Sequence, residues 1–378
     1  RRTCYSTEGS SQCIRAMLRL AMLRQTGGTP LILAARNVHK AFVYGAALLG
    51  LEVRWLWPEE TDSLCSCRIS PERLEAALAE LPSPLAAVYV TSPDYLGGMA
   101  DVQGLAEVCH RHNTLLLVDN AHGAYLHFLP EPMHPMQLGA DICCDSAHKT
   151  LPVLTGGAYL HIAHGTPDMF AQRAESAMAL FASTSPSYLI LQSLDAMNPL
   201  LATSFPAQLK ACAERLDTLK AKLRAHGYAL CGEERTKLCL LPKSFGYTGT
   251  ALAEILTHHN IYCEFSDADH LVMMFTPETT PADFARLERA LLSVLPAPAI
   301  LSKPPVPPHA ERVLSPREAL FSPSETLPLS ECENRILADA NVSCPPAVPL
   351  AVCGERLTPE VISAMEYYGT EHCTVVVE

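Results

Sequence analysis

A chain of 378 residues with 48% apolar and 18% charged side chains has globular composition, and its length suits one large domain with smaller additions. A net charge of −12 argues against a nucleic-acid surface and is compatible with drawing in small cationic molecules. The fifteen cysteines show neither a secreted-scaffold spacing nor the paired C-x-x-C spacing of a zinc site, with only Cys65-Ser66-Cys67 and Cys143-Cys144 close together, so reduced thiols and no metal are expected.

No apolar run reaches the roughly 20 residues that span a bilayer, and no basic, apolar leader opens the chain, so a cytoplasmic protein without membrane contact is expected. Thr7-Glu8-Gly9-Ser10-Ser11 precedes a helical run from Gln12 to about Arg24. Its hydroxyls and orphan amides would face an anion at a helix N-terminus, although an ordinary N-cap leaves the same trace. Short apolar runs at 31–35, 52–57, 86–91, 115–118, 141–144 and 158–162 predict buried strands, with helices at 41–49, 71–81 and 102–112 between them. Such alternation specifies a mostly parallel sheet covered on both faces, whose ligands bind beyond the carboxyl ends of the strands.

After Pro167 the pattern is helical to about His226, including a periodic stretch over 207–224. A smaller α/β unit follows, with strands at 237–241, 262–265 and 271–275 and helices at 249–259 and 281–295. Six prolines in residues 296–308 predict an extended linker. The expected organisation is a large domain over 1–205, a helix plus small α/β domain over 206–295, the linker over 296–308, and a C-terminal domain over 309–378.

The residues past the strand ends carry the chemistry. Asp119, in Val118-Asp119-Asn120-Ala121-His122-Gly123, and Lys149, in Ser146-Ala147-His148-Lys149-Thr150-Leu151-Pro152, lie thirty residues apart, each at a strand end. Either alone would be an ordinary turn or loop residue. Together they suit pyridoxal phosphate, which needs an amine to condense with its aldehyde and an aspartate to keep its ring nitrogen protonated. Ser146, with His148 beside it, adds a second hydroxyl-bearing loop to Ser10 and Ser11 for the phosphate. His39 follows the first of these strands and can stack on a planar ring, while Thr91-Ser92-Pro93-Asp94-Tyr95 offers polar contacts or a simple Ser-Pro turn.

These stretches, with Arg36-Asn37-Val38-His39-Lys40, Gly139-Ala140-Asp141 and Ser183-Thr184-Ser185-Pro186-Ser187-Tyr188, resemble the Orn/Lys/Arg decarboxylases, pyridoxal-phosphate enzymes of the aspartate-aminotransferase fold. Cys344-Pro345-Pro346-Ala347-Val348-Pro349-Leu350 and Gly354-Glu355 are similar to that family's Tyr-Pro-Pro-Gly-Ile-Pro and Pro-Gly-Glu signature, with Cys344 for tyrosine and Ala347 for glycine. The resemblance implies that Lys149 holds pyridoxal 5′-phosphate, Asp119 pairs with its ring nitrogen, and His39 and Ala121 pack on the ring's two faces. It implies that Ser10, Ser11, Ser146 and His148 surround the phosphate, with His122 also near the cofactor. Thr184 is expected to act on a neighbouring subunit's site, which makes a homodimer the minimum assembly. The family also carries an upstream segment with a His-x-Pro-Gly-His-Lys-type motif, expected to be missing before Arg1.

The implied reaction is loss of the α-carboxylate of arginine, lysine or ornithine as carbon dioxide, with Lys149 or His148 returning a proton to Cα. Glu8, Asp94, Asp101 and Glu355 are acidic candidates for the substrate's distal cation. Aminotransfer and Cα–Cβ lyase chemistry are the alternatives on the same fold, and a catalytically silent homologue is a further one.

Overall fold

In the strand Leu31–Ala35 every residue is buried, and successive side chains serve two different cores: Leu31, Leu33 and Ala35 face one, Ile32 and Ala34 the other. A strand packed on both faces must read as a continuous apolar run, and such a strand belongs to a parallel sheet between helices. The computed structural model describes residues 2–24, 27–57, 66, 68–81, 85–306, 309–340 and 349–377. Cys65, Cys67 and the 344–348 part of the C-terminal signature lie outside these.

The first unit runs β1 (Arg2–Ser6), α1 (Gly9–Ala21), β2 (Leu31–Ala35), α2 (Lys40–Leu49), β3 (Glu52–Leu56), α3 (Pro71–Ala79), β4 (Ala87–Thr91), α4 (Val102–Arg111), β5 (Leu116–Asp119), β6 (Ile142–Asp145), α5 (Ala147–Thr150) and β7 (Ala158–Ile162). They form a seven-stranded sheet in the order β1-β7-β6-β5-β4-β2-β3. Strands β2 to β6 are parallel, and β7 runs antiparallel to both β6 and β1. Because β2 lies between β3 and β4, the chain reverses its direction of travel across the sheet there, and the loops leaving β2 and β4 open a crevice. α1 and α2 bury one face, and α3 and α4 bury the other.

Then come α6 (Asp168–Ala179), α7 (Tyr188–Ala202), α8 (Phe205–His226), β8 (Ala229–Cys231), β9 (Lys237–Leu241), α9 (Gly249–Thr257), β10 (Phe265–Ser266), β11 (Leu271–Met274) and α10 (Pro281–Ser293). Strands β8 to β11 make a four-stranded antiparallel sheet in the order β10-β11-β9-β8, with α8, α9 and α10 contributing to its core. The strand expected over 262–265 shrinks to Phe265–Ser266, because Tyr262 stands exposed and only the last apolar residue reaches the sheet. Strand β1 was not foreseen: its side chains alternate between half-buried and exposed at the sheet edge, leaving no apolar run to read. Residues 296–306 are irregular, as their prolines require.

The C-terminal part adds α11 (Pro316–Phe321), β12 (Ser324–Pro328), α12 (Pro359–Tyr367) and β13 (His372–Val376), with β12 and β13 paired antiparallel. Ala319, Ala340, Val352 and Cys353 join the core on the α1–α2 face of the large sheet. The Arg36 guanidinium anchors this contact, donating to Pro349 O at 2.8 Å and Glu355 Oε2 at 3.0 Å between the rings of Trp55 and Trp57. Among the described residues no helix is long and apolar enough to cross a membrane.

Both members of the Arg36–Glu355 pair are almost wholly buried. Glu355→Ala leaves the guanidinium without its carboxylate, which costs about 3–5 kcal/mol in such settings. The expected result is a lower urea midpoint at unchanged slope, and a loss under about 1 kcal/mol would show that the pair does not hold the C-terminal part in place.

Candidate active site

The carboxyl ends of β2, β4, β5 and β6 converge on one cleft lined largely by polar and ionisable side chains. Ser10, Asn37, His39 and Thr91 line one part of it, and Asp119, Ala121, His122 and Lys149 another, with Pro93 and Tyr95 beside them. The two residues that the sequence singled out, Asp119 and Lys149, therefore open on the same space.

Asp119 ends β5 and is 1% exposed. Its Oδ2 accepts from the Tyr89 hydroxyl at 3.1 Å and its Oδ1 from the Ala121 amide at 3.1 Å, with the Cys144 thiol at 3.6 Å. Neutral donors thus hold a buried carboxylate, which leaves its charge available to the cleft. The turn that follows is tied to the neighbouring strand, since Asn120 Nδ2 donates to Asp145 Oδ1 at 2.7 Å. Asp145 also meets His134 Nε2 at 3.0 Å and His161 Nε2 at 3.1 Å. Burial alone would raise the Asp145 carboxyl, but these two imidazoles outweigh it and hold the group well below the usual carboxylate range.

Lys149 sits on the one-turn helix α5, where burial lowers its amine, Asp119 opposes that effect and Lys237 adds to it. Its Nζ is 3.1 Å from His122 Nε2. His122 is itself pushed well below the ordinary histidine value by burial and by the cations Lys237 and Lys149. His39 caps α2, its Nδ1 accepting from the Ala41 amide at 3.2 Å, and burial lowers its pKa despite Asp119. The ring nitrogen that accepts carries no proton, so the neutral His39 bears its hydrogen on Nε2.

α1 begins at Gly9, whose φ is +69° and whose amide donates to Gly156 O at 2.8 Å, so that Ser10 in its first turn reaches the cleft. Glu8 at its N-cap makes no side-chain cap, so the ordinary capping alternative is not realised. Ser146 Oγ donates to Ser10 Oγ at 2.8 Å, which joins the two hydroxyl-bearing loops. His148 Nδ1 donates to Gly157 O at 2.9 Å and does not line the cleft, nor does Ser11, one residue farther along α1. Thr184 lies on an exposed loop between α6 and α7, outside the cleft.

Of the acidic candidates for the substrate's distal cation, three have local duties. Asp94 accepts from the amides of Leu96 and Gly98, Asp101 caps α4 through Gly104, and Glu355 is paired with Arg36. Sequence reasoning did not find Tyr89, Asn37, Lys237 or Glu234. Asn37 lay within a quoted motif, and its buried Oδ1 has no hydrogen-bond partner. His134, Cys143 and Asp145 are close enough together for a metal ion. However, the Met136 amide donates to His134 Nδ1, so the proton sits on Nε2 and is directed at Asp145.

The comparisons with known proteins agree with this architecture. SPT solved with PLP as an internal aldimine has a TM-score of 0.58 at 17% identity over 77% of this chain and 72% of that one. A lysine decarboxylase of Francisella novicida has a TM-score of 0.75 at 16% identity, covering 100% of this chain and 70% of its own. At these identities the likeness shows the fold. In sequence, the family model for the Orn/Lys/Arg decarboxylase major domain matches residues 1–237. An arginine decarboxylase of Bacillus subtilis (strain 168) is 31% identical over 385 aligned residues, spanning 96% of this chain and 76% of the relative. The chain belongs to the Orn/Lys/Arg decarboxylase family.

The Asp145 hub yields a pH test. Its folded-state pKa lies below the unfolded value of about 3.9, so its stabilisation is fully present above that value and is lost as pH falls toward the folded pKa. Asp145→Asn is expected to cost about 1–3 kcal/mol at neutral pH and to flatten the fall of stability between about pH 4 and pH 2. Denaturant titrations across that range check it, and an acid limb as steep as the wild type's contradicts the assignment.

Proposed function

We propose that this chain decarboxylates a basic amino acid to the corresponding amine and carbon dioxide, with pyridoxal 5′-phosphate held in the Lys149–Asp119 cleft. The observation that carries this reading is the convergence of a buried carboxylate and a buried amine of lowered basicity on one cleft. The residues present fit the cofactor. A planar heterocycle with a phosphate needs an anion-stabilising partner at the ring nitrogen, an amine at its aldehyde and a donor-rich end for its phosphate. Asp119, Lys149 and the first turn of α1 at Ser10, tied to Ser146, suit these three needs, and the orphaned Asn37 Oδ1 is free to accept a further donor.

When bound, pyridoxal phosphate supplies an aldehyde for amine condensation and a ring that draws electrons from a breaking Cα bond. Asp119, by its negative charge, would hold a proton on the ring nitrogen. Lys149 would hold the aldehyde through its neutral amine and, once protonated, is the residue placed to return a proton to Cα. His39 would offer a flat imidazole to one face of the ring and Ala121 a small methyl to the other. Ser10, tied to Ser146, would face the phosphate, whereas Ser11 and His148 stand back from the cleft.

Arginine is the first substrate to test among arginine, lysine and ornithine, because arginine decarboxylases are among the sequence relatives that span most of the chain. The working form is a homodimer or larger homo-oligomer in which Thr184, on its exposed loop, reaches a partner's site. Free thiols at Cys13, Cys109, Cys144 and Cys353 suit a cytoplasmic location.

The test is incubation of the cofactor-loaded protein with carboxyl-labelled arginine, lysine and ornithine. Labelled carbon dioxide with a stoichiometric amine is expected. A keto acid with pyridoxamine phosphate would replace this reading by aminotransfer, and no turnover of any of the three would make the chain a silent homologue. Asp119→Asn is expected to lower kcat by about 100-fold or more while the protein remains folded, and Lys149→Ala to abolish turnover.

A further inference from the structure

Lys237 opens β9 in the four-stranded sheet, yet its side chain reaches His122, which lines the cleft of the seven-stranded one. Its side chain is 1% exposed and its Nζ lies 2.9 Å from Glu234 Oε2, 3.3 Å from Asp94 O and 3.5 Å from His122 Nδ1. The approach is fixed by close backbone packing. Glu233 and Glu234 both donate their amides to Gly97 O, at 2.8 and 2.9 Å. A Cβ on Gly232 would come within 2.4 Å of Leu96 O, so the segment leading into β9 has no slack against the loop after β4.

An ammonium has three donors and no acceptor. The imidazole nitrogen facing it must therefore present a lone pair, which puts the hydrogen of a neutral His122 on Nε2. That N–H points at Lys149 Nζ, 3.1 Å away, and it finds an acceptor there only if the Lys149 amine is unprotonated. The opposite tautomer would turn Nδ1–H toward a positive charge.

We infer that Lys237 is a positioning residue: its ammonium fixes the tautomer of His122 and thereby holds Lys149 as a neutral amine. This rests on the proposed role of Lys149 as the cofactor lysine. In this role Lys237 acts through its contact with His122 and through its own charge, which disfavours a second ammonium at Lys149. The charged and titratable groups facing Lys149 are Asp119 and Cys144 from β5 and β6, His39, His122, Lys237, and Glu264 beside β10. Asp119 and Glu264 favour the protonated amine, and Lys237 opposes them.

The test needs no cofactor. In the cofactor-free full chain, the pH dependence of Lys149 acylation by acetic anhydride is read by peptide mass mapping. Lys237→Gln is expected to raise the midpoint by about one pH unit, or about tenfold slower labelling at a fixed pH below it. Lys237→Arg, which keeps the charge, is expected to retain the wild-type midpoint. A folded Lys237→Gln variant with an unshifted midpoint overturns the inference. Should that variant fail to fold, imidazole ¹⁵N shifts of His122 in the wild-type protein decide: the Nε2–H tautomer supports the inference and the Nδ1–H tautomer overturns it. Failure of the wild type to load pyridoxal phosphate on Lys149 would sink the proposed function instead, and the acylation midpoint would still report the coupling.

Discussion

A carboxylate placed inside a parallel sheet is costly to bury unless donors surround it. Asp119 ends the central strand β5, flanked by β4 and β6, and its partners are a tyrosine hydroxyl, a backbone amide and a thiol. These neutral donors stabilise the charge without cancelling it. Burial lowers the basicity of His39 and Lys149, and in both cases Asp119 is the largest force pulling the other way. The electrostatics of the cleft therefore turn on one anion and the water excluded around it.

The fold makes that arrangement possible by bringing strand ends together. The seven-stranded sheet reverses its progression at β2 and β4, so the loops carrying His39 and Thr91 face those carrying Asp119 and Lys149. Cross-ties keep the loops in register: Asn120 to Asp145 across β5 and β6, and Ser10 to Ser146 between α1 and the loop before α5. Farther out, Arg36 links the end of β2 to the C-terminal part through Glu355, only three residues from His39 in the chain. The Gly354-Glu355 motif thus has a structural duty next to the site.

Much of this was legible in the sequence for a physical reason. Strands buried on both faces, such as 31–35, must be apolar throughout, and polar residues just past their ends stand out against that background. Asp119, Lys149 and His39 were visible in this way, and Ser10 by its place at the head of a helical run. Lys237 was not, because it comes from a different sheet and sits in the first position of an otherwise apolar strand, where it reads as a solvated end. Tyr89 was hidden by reading as core, although its hydroxyl serves Asp119. Edge strand β1 gave no signal because only one of its faces is covered. Thr184 stands outside the cleft of its own chain.

The central claim is that Lys149 and Asp119 serve one cofactor, and trapping the bound group tests it most directly. The purified chain is loaded with pyridoxal 5′-phosphate, reduced with borohydride and digested for peptide mapping. The account predicts a single phosphopyridoxyl-lysine, at Lys149. Label on Lys237 or another lysine in its place, or no covalent label at all, would contradict it.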